Sequence, residues 1–217
     1  GFLGCSMKDL LDGQRCKSAN QENDDAPESM SFATTFADHG ISAEEAIPWE
    51  ARAVEIGAKR FPSEKGGALM RSLWVKDHHM KHLQGQAMDH LVHFFDFAVV
   101  PSQRDVMRQD EYGSFMVVLL NGSMVVERNQ PWGERLRLSE AKPGEVLGEM
   151  SLLDGGKRFS DCTTIDECHM AVLSAQALDE MIVQAPHLSA ALIGLLARKL
   201  SLRLRAMGAK LSYQQRG

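Results

Sequence analysis

The sequence predicts an α+β protein in which N-terminal helices lead into a section of short strands, suggesting a sandwich, jelly roll or barrel, followed by a long C-terminal helix. Three observations carry this. Between Pro48 and about Asp89 apolar residues recur at three and four positions. From there to Ser174 the pattern becomes short segments rich in Val, Phe, Met and Leu, separated by turn residues. Beyond Pro186 helical periodicity returns and continues to about Tyr213.

In order along the chain, the stretch from Asp9 to about Ile47 is polar and acidic, and "NQENDDAPES" has no apolar period. Such a segment buries too little surface to offset its ordering entropy, so residues 1–47 are expected to form a flexible arm, ordered only by docking. Residues 48–85 follow as a helical extension built from "WEARAVEIGAKRF" and "GALMRSLWVKDHHMKHL", with an interruption around "PSEKGG". The remaining domain, residues 86–217, opens with the strand segments "HLVHFFDFAVV", "DVMRQ", "SFMVVLL", "SMVVER", "RLRLSEA" and "CHMAVLS". Asn121-Gly122 in "LLNGSMVVE" is the clearest hairpin signal, since both residues tolerate positive φ between two apolar runs. "AQALDEMIVQAP" reads as a helix, and Pro186 opens the last one. Leu188, Leu192, Leu195, Leu202 and Ala206 lie near one seam of that helix, flanked by Arg198, Lys199, Arg203 and Arg205.

Composition narrows the function classes. The 217-residue chain has a formal net charge of −5 and a pI near 5.9, which argues against a nucleic-acid footprint spread over the whole surface. No apolar run reaches the ~20 residues of a membrane span. Cys5, Cys16, Cys162 and Cys168 form neither a CxxC pair nor a disulfide framework, and read as reduced thiols of a cytoplasmic protein. The opening "GFLGCSM" admits two readings, an acylated terminus and a cleavage scar. His78, His79, His82, His90 and His93 are gathered in one stretch. With no acid or thiol at a standard ligand interval, they read as a solvated helix face rather than a metal centre. There is no nucleophile signature, P-loop or GxGxxG, so no enzyme and no catalytic residue is expected.

Three local motifs occur in order: "DEYGSFMVVLLNGSMVV" with glycines at 113 and 122, "KPGEVLGEMSLL", and "GEMSLLDGGKRFSDC", in which Glu149 and Arg158 stand nine residues apart. From about Lys81 to Leu204 the chain resembles the cyclic-nucleotide-binding domain, the family of the bacterial catabolite activator and the protein kinase A regulatory subunits, which implies an α+β fold with a β roll (double-stranded jelly roll), N-terminal helices and a long C-terminal helix. The third motif is similar to the family's phosphate-binding cassette. The resemblance implies a site made of Gly148, Glu149, Met150, Ser151, Arg158, Phe159 and Ser160, with cAMP or cGMP as ligand and neither cofactor nor metal. The chemistry fits those residue types. A cyclic phosphodiester spreads one negative charge over two exocyclic oxygens, which a planar guanidinium answers better than a lysine. Glu149 supplies an acceptor for a ribose hydroxyl, residues 149 to 153 form a helical turn whose leading N–H groups face the phosphate, and Gly148 and Gly155 let backbone approach the ligand.

The sequence also departs from the family. Small residues ordinarily follow the arginine, but here Phe159 is bulky and Asp161 brings a negative charge, both expected near an anionic ligand. The reading is therefore a regulatory, signalling module that senses a cyclic nucleotide, pairs as a homodimer through its C-terminal helix and serves a downstream protein not named by the sequence. The second reading is a degenerate module acting through protein contacts alone. A metal-dependent cupin-type enzyme is the rival from another class, and its strands offer only His93 and His169. No helix-turn-helix follows the long helix, so sequence-specific DNA binding is not expected.

Overall fold

The computed structural model describes residues 31–33, 35–42, 45–77, 83 and 85–214, and the statements below concern these. Nine strands form two antiparallel sheets. The first has the order β1 (Lys59–Arg60), β2 (Asp96–Val100), β9 (Cys168–Ser174), β4 (Phe115–Asn121) and β7 (Val146–Leu147). The second has the order β3 (Asp105–Met107), β8 (Asp161–Thr164), β5 (Met124–Asn129) and β6 (Arg135–Ala141).

Strand β4 shows why the sheets stack as they do. It is apolar along nearly its whole length, and period-two alternation sends its side chains to two different cores. Phe115, Val117 and Leu119 face the space between the sheets, beside Val106, Met124 and Met170. Met116, Val118 and Leu120 face outward, where helices cover them with Trp74, Leu91, Leu178, Leu192 and Leu196.

Those helices are α1 (Trp49–Ile56), α2 (Ser63–Trp74), α3 (Gln86–Val92), α4 (Glu149–Asp154), α5 (Ala175–Gln184) and α6 (Pro186–Gln214). Ser174 caps α5, its hydroxyl accepting from Ala177 N–H at 3.1 Å. The interruption expected around "PSEKGG" lies elsewhere, because α2 begins at Ser63 and the break falls at Gly57 to Pro62. Gly66 remains helical because the space is taken. A Cβ there would stand 2.2 Å from Phe97 Cδ1, so the missing side chain lets α2 press on β2.

The hairpin expected at Asn121-Gly122 is corrected as well. The turn exists, with Gly122 at φ 88°, but β4 pairs with β7 and β9 whereas β5 pairs with β6 and β8. The chain uses this turn to cross from one sheet to the other. The close hairpin instead joins β5 to β6 around Gly133, where Gln130 N–H donates to Glu134 O at 2.7 Å.

Part of the acidic N-terminal stretch is docked. The carboxylate of Asp179 on α5 accepts from Ser31 Oγ, Phe32 N–H and Ala33 N–H at 2.7 to 2.9 Å. Phe32 and Phe36 are buried, and Phe36 lies within a 3-10 turn, Thr35–His39. His78, His79, His82, Cys5, Cys16 and the opening "GFLGCSM" lie outside the described residues. His90 stacks on Phe94 and His93 Nδ1 meets Asp89 O, and no group of three or more metal-ligating side chains occurs among the described residues. Cys162 and Cys168 are buried free thiols. None of the described helices is long and apolar enough to cross a membrane.

The seam read on the C-terminal helix divides in two. Leu188, Leu192 and Leu195 are buried in the chain's own core, whereas every residue from Ser201 to Ala209 is exposed.

Candidate functional site

The site is built where β7 turns into α4. Gly148 takes φ 79°, a left-handed conformation open to glycine, and so redirects the chain into the short helix. Gly155, also left-handed at φ 66°, ends that helix. The chain then runs back past the loop between β3 and β4, where Arg158 N–H donates to Glu111 O at 2.8 Å and Asp110 N–H donates to Arg158 O at 2.9 Å. These two bonds fix the Arg158 backbone.

Its side chain points inward and is only 4% exposed. Nη1 donates to Gly148 O at 3.0 Å and to Ser151 Oγ at 2.9 Å, and Nη2 donates to Phe115 O at 2.7 Å. The guanidinium also lies 4.7 Å from the Phe115 ring centroid. Two glycines are required around it: a Cβ on Gly113 would stand 2.5 Å from Nη2, and one on Gly148 would stand 2.6 Å from Nη1. Burial pushes the group down to about 10, and it remains a cation at neutral pH. Its acceptors are neutral, and among the described residues no carboxylate forms an ion pair with it.

Glu149 begins α4 and is also buried. Its Oε1 accepts from Arg203 Nη1 at 2.5 Å, and Arg203 Nη2 reaches Val146 O at 3.3 Å. Arg203 comes from α6, so the long helix contributes a side chain to this site. Sequence reasoning placed Arg203 on the soluble flank of a seam. The only signal for its role was a surplus of cations on that helix, which does not say which one turns inward.

Of the residues expected to bind ligand, the structure joins Gly148, Ser151 and Arg158 through the Arg158 guanidinium, whereas the Glu149 carboxylate goes to Arg203 instead. Met150 faces solvent, and Ser160 is half-buried. Phe159 carries its ring outward, 42% exposed, with the Arg128 guanidinium 4.1 Å above it and donating to Phe159 O. The Asp161 carboxylate is taken up by Gln109 N–H at 2.7 Å and by Arg135 and Asn129 at 3.4 Å. Chemically, this is a desolvated guanidinium on neutral oxygens. An anion that took over one of those bonds would convert it into a charge-assisted pair.

Residues 99–185 match the family model described as the cyclic nucleotide-binding domain. Over 100 residues the chain is 31% identical to the CRP-like cAMP-activated global transcriptional regulator of Mycobacterium tuberculosis, covering 46% of this chain and 45% of that protein. Over 118 residues it is 26% identical to the cyclic AMP receptor protein of Thermus thermophilus, covering 54% of this chain and 55% of the other. The chain thus spans about half the length of the curated relatives it matches. A cyclic nucleotide-binding domain from Methylobacillus flagellatus shares the fold, with a TM-score of 0.67 at 19% identity over 72% of this chain and 89% of that one.

Proposed function

We propose, from the match of residues 99–185 to the model described as the cyclic nucleotide-binding domain, that the protein is a non-catalytic, cytoplasmic regulatory module whose cassette takes a cyclic nucleotide of the cAMP or cGMP type. The observation that carries this reading is Arg158, a buried cation with neutral acceptors and no carboxylate partner among the described residues, next to a glycine that leaves it room. Burying an unpaired charge costs several kcal/mol, and a bound anion offsets that penalty. Glu149 is the acceptor for the ribose, held in place by Arg203. Gly148, Ser151 and the amides of α4 complete the phosphate contacts, with Met150, Phe159 and Ser160 at the rim.

Calorimetric titration with cAMP, cGMP and cyclic di-GMP tests this. Saturable heat with one of the three is expected in the wild type, and its loss in Arg158→Ala. Equal affinity in Arg158→Ala rules out the assignment.

A second reading has its own observation. The three hydrogen bonds of Arg158 go to the protein, and Glu149 is taken by Arg203. A module that binds no nucleotide and works through protein contacts would look the same, and silence toward all three nucleotides selects it.

We also propose a homodimer through the exposed end of α6, where Leu202, Leu204 and Met207 face solvent, and a downstream protein partner.

A further inference from the structure

Arg52 lies on α1, outside the stretch that matches the family model, and is 1% exposed. A charged side chain is almost never buried this completely unless it is paired. Its Nη1 donates to Glu55 Oε2 at 2.8 Å and its Nη2 donates to the Glu111 carboxylate, while its Nε is buried without a partner. Arg108 closes the group from the other side, pairing with Glu55 and lying 3.6 Å from Glu111. Two arginines thus alternate with two glutamates, Glu55 and Glu111. Only a forked guanidinium reaches both carboxylates from one buried stem.

Glu111 is the residue whose carbonyl accepts Arg158 N–H, and its neighbour Asp110 donates to Arg158 O. The same loop is gripped twice more by the segment before the family match. Ile47 exchanges backbone hydrogen bonds with Tyr112 O and Ser114 N–H, forming a parallel bridge to Gly113, the glycine against the Arg158 guanidinium. Trp49 packs edge-on against Phe115 at 5.4 Å between centroids, and Phe115 O accepts from Arg158 Nη2.

We propose that Arg52 is a positioning residue for the anion site. It holds the Glu111 side chain so that the backbone of the same loop presents Arg158 at a fixed height behind α4. The helical extension thereby becomes part of the site, and any movement of Arg158 toward a ligand is felt at α1. A purely structural role for Arg52, anchoring α1, is already filled by the buried Trp49 and Ile56. The consequence for affinity rests on the nucleotide reading above, and the placement of Arg158 does not.

The experiment has two arms on the full chain, using Arg52→Lys and Glu111→Gln, each of which keeps size and polarity. In the first arm, hydrogen exchange is followed at the amides of Arg158 and Asp110. Both variants are expected to speed these at least tenfold while the amides of β4 and β9 keep their wild-type rates. Unchanged exchange at Arg158, or an equal rise across β4 and β9, overturns the proposal, because the latter is the mark of general destabilisation. In the second arm, cAMP and cGMP are titrated. If the wild type binds, each variant is expected to weaken affinity about tenfold and the double variant no further, since both act through one contact; unchanged affinity overturns the proposal. If the wild type binds neither nucleotide, the functional reading fails and the exchange arm alone decides the role of Arg52.

Discussion

Arg203 donates to Glu149 at 2.5 Å across 54 residues of sequence, joining the exposed end of α6 to the start of α4. The two partners are unequal. The Glu149 side chain is 4% exposed and that of Arg203 47%. Removing Arg203 strands a buried carboxylate, whereas neutralising Glu149 frees an arginine that water can solvate. Arg203→Met is therefore expected to lower stability by about 1–3 kcal/mol and Glu149→Gln by less, with the double variant closer to the wild type than Arg203→Met alone. Urea unfolding of the four proteins measures this, and equal losses from the two single changes contradict the pairing.

This contact also marks where sequence reading stops. Glu149, Arg158 and the glycines around them were picked out by the resemblance of one short motif, and the short helix expected there is present, entered through a left-handed turn. Arg203 was not picked out, because a cation on an amphipathic helix gives no sign of which residue a distant turn will meet. Strands β2 to β6 and β9 were legible from their apolar runs, but the start of "HLVHFFDFAVV" is the end of α3, β1 lies in a segment read as helical, and the short β7 and β8 flank the cassette motif unread. The turn at Gly122 was visible and its partner strands were not. Asn-Gly specifies a reversal of direction, while the choice of sheet is made by burial on both faces of β4.

Gly113 is not in a strained backbone conformation, so its need for glycine is purely one of space. Gly113→Ala would place a methyl 2.5 Å from Arg158 Nη2 and force the guanidinium off Phe115 O. A loss of about 1–3 kcal/mol is expected, typical of overpacking in a well-filled interior. Thermal unfolding reads the loss, and nucleotide titration should show it accompanied by weaker binding.

Phe159 and Asp161 depart from the family pattern, and the structure gives both side chains other occupations. Asp161 receives Gln109 N–H at 2.7 Å, and Phe159 lies under Arg128 at the surface. Asp161→Ala is therefore expected to destabilise the roll by about 1–3 kcal/mol through an unsatisfied donor. Phe159→Ala should change stability by less than Asp161→Ala, because its ring is already 42% exposed. If the double change instead tightens cAMP or cGMP binding with stability intact, these side chains do obstruct the site.

The thiols set an alkaline limit. Burial pushes Cys162 and Cys168 up from an ordinary 9.0 to about 12. The folded chain therefore retains thiol protons that the unfolded chain releases. Their contribution is complete below about pH 9 and is lost as pH rises toward about 12. Arg158 acts with the opposite sign, its folded value being depressed to about 10, so it enters only at the top of this range. Between pH 8 and 10 the wild type should lose stability more steeply than Cys162→Ala, by at most about 1.4 kcal/mol per pH unit. Parallel curves of denaturation midpoint against pH would show that Cys162 is not protected by burial.

The exposed end of α6 bears on self-association. Leu188, Leu192 and Leu195 already serve the core, so a dimer surface has to come from beyond Lys199, where Leu202 is 48%, Leu204 72% and Met207 46% exposed. Leucines at this exposure on a projecting helix are wet in a monomer and dry in a helix pair. Truncation after Lys199 would also remove Arg203 and confuse two effects, so Leu202→Glu with Met207→Glu is the cleaner change. Sedimentation at tens of micromolar is expected to give a dimer for the wild type and a monomer for the double variant. Unfolding of the two should be alike once extrapolated to low protein concentration, because neither side chain supports the core. A wild type that sediments as a monomer leaves the exposed end of α6 as a strut for Arg203, tied to the roll by Glu149 while Leu188, Leu192 and Leu195 anchor the start of the helix.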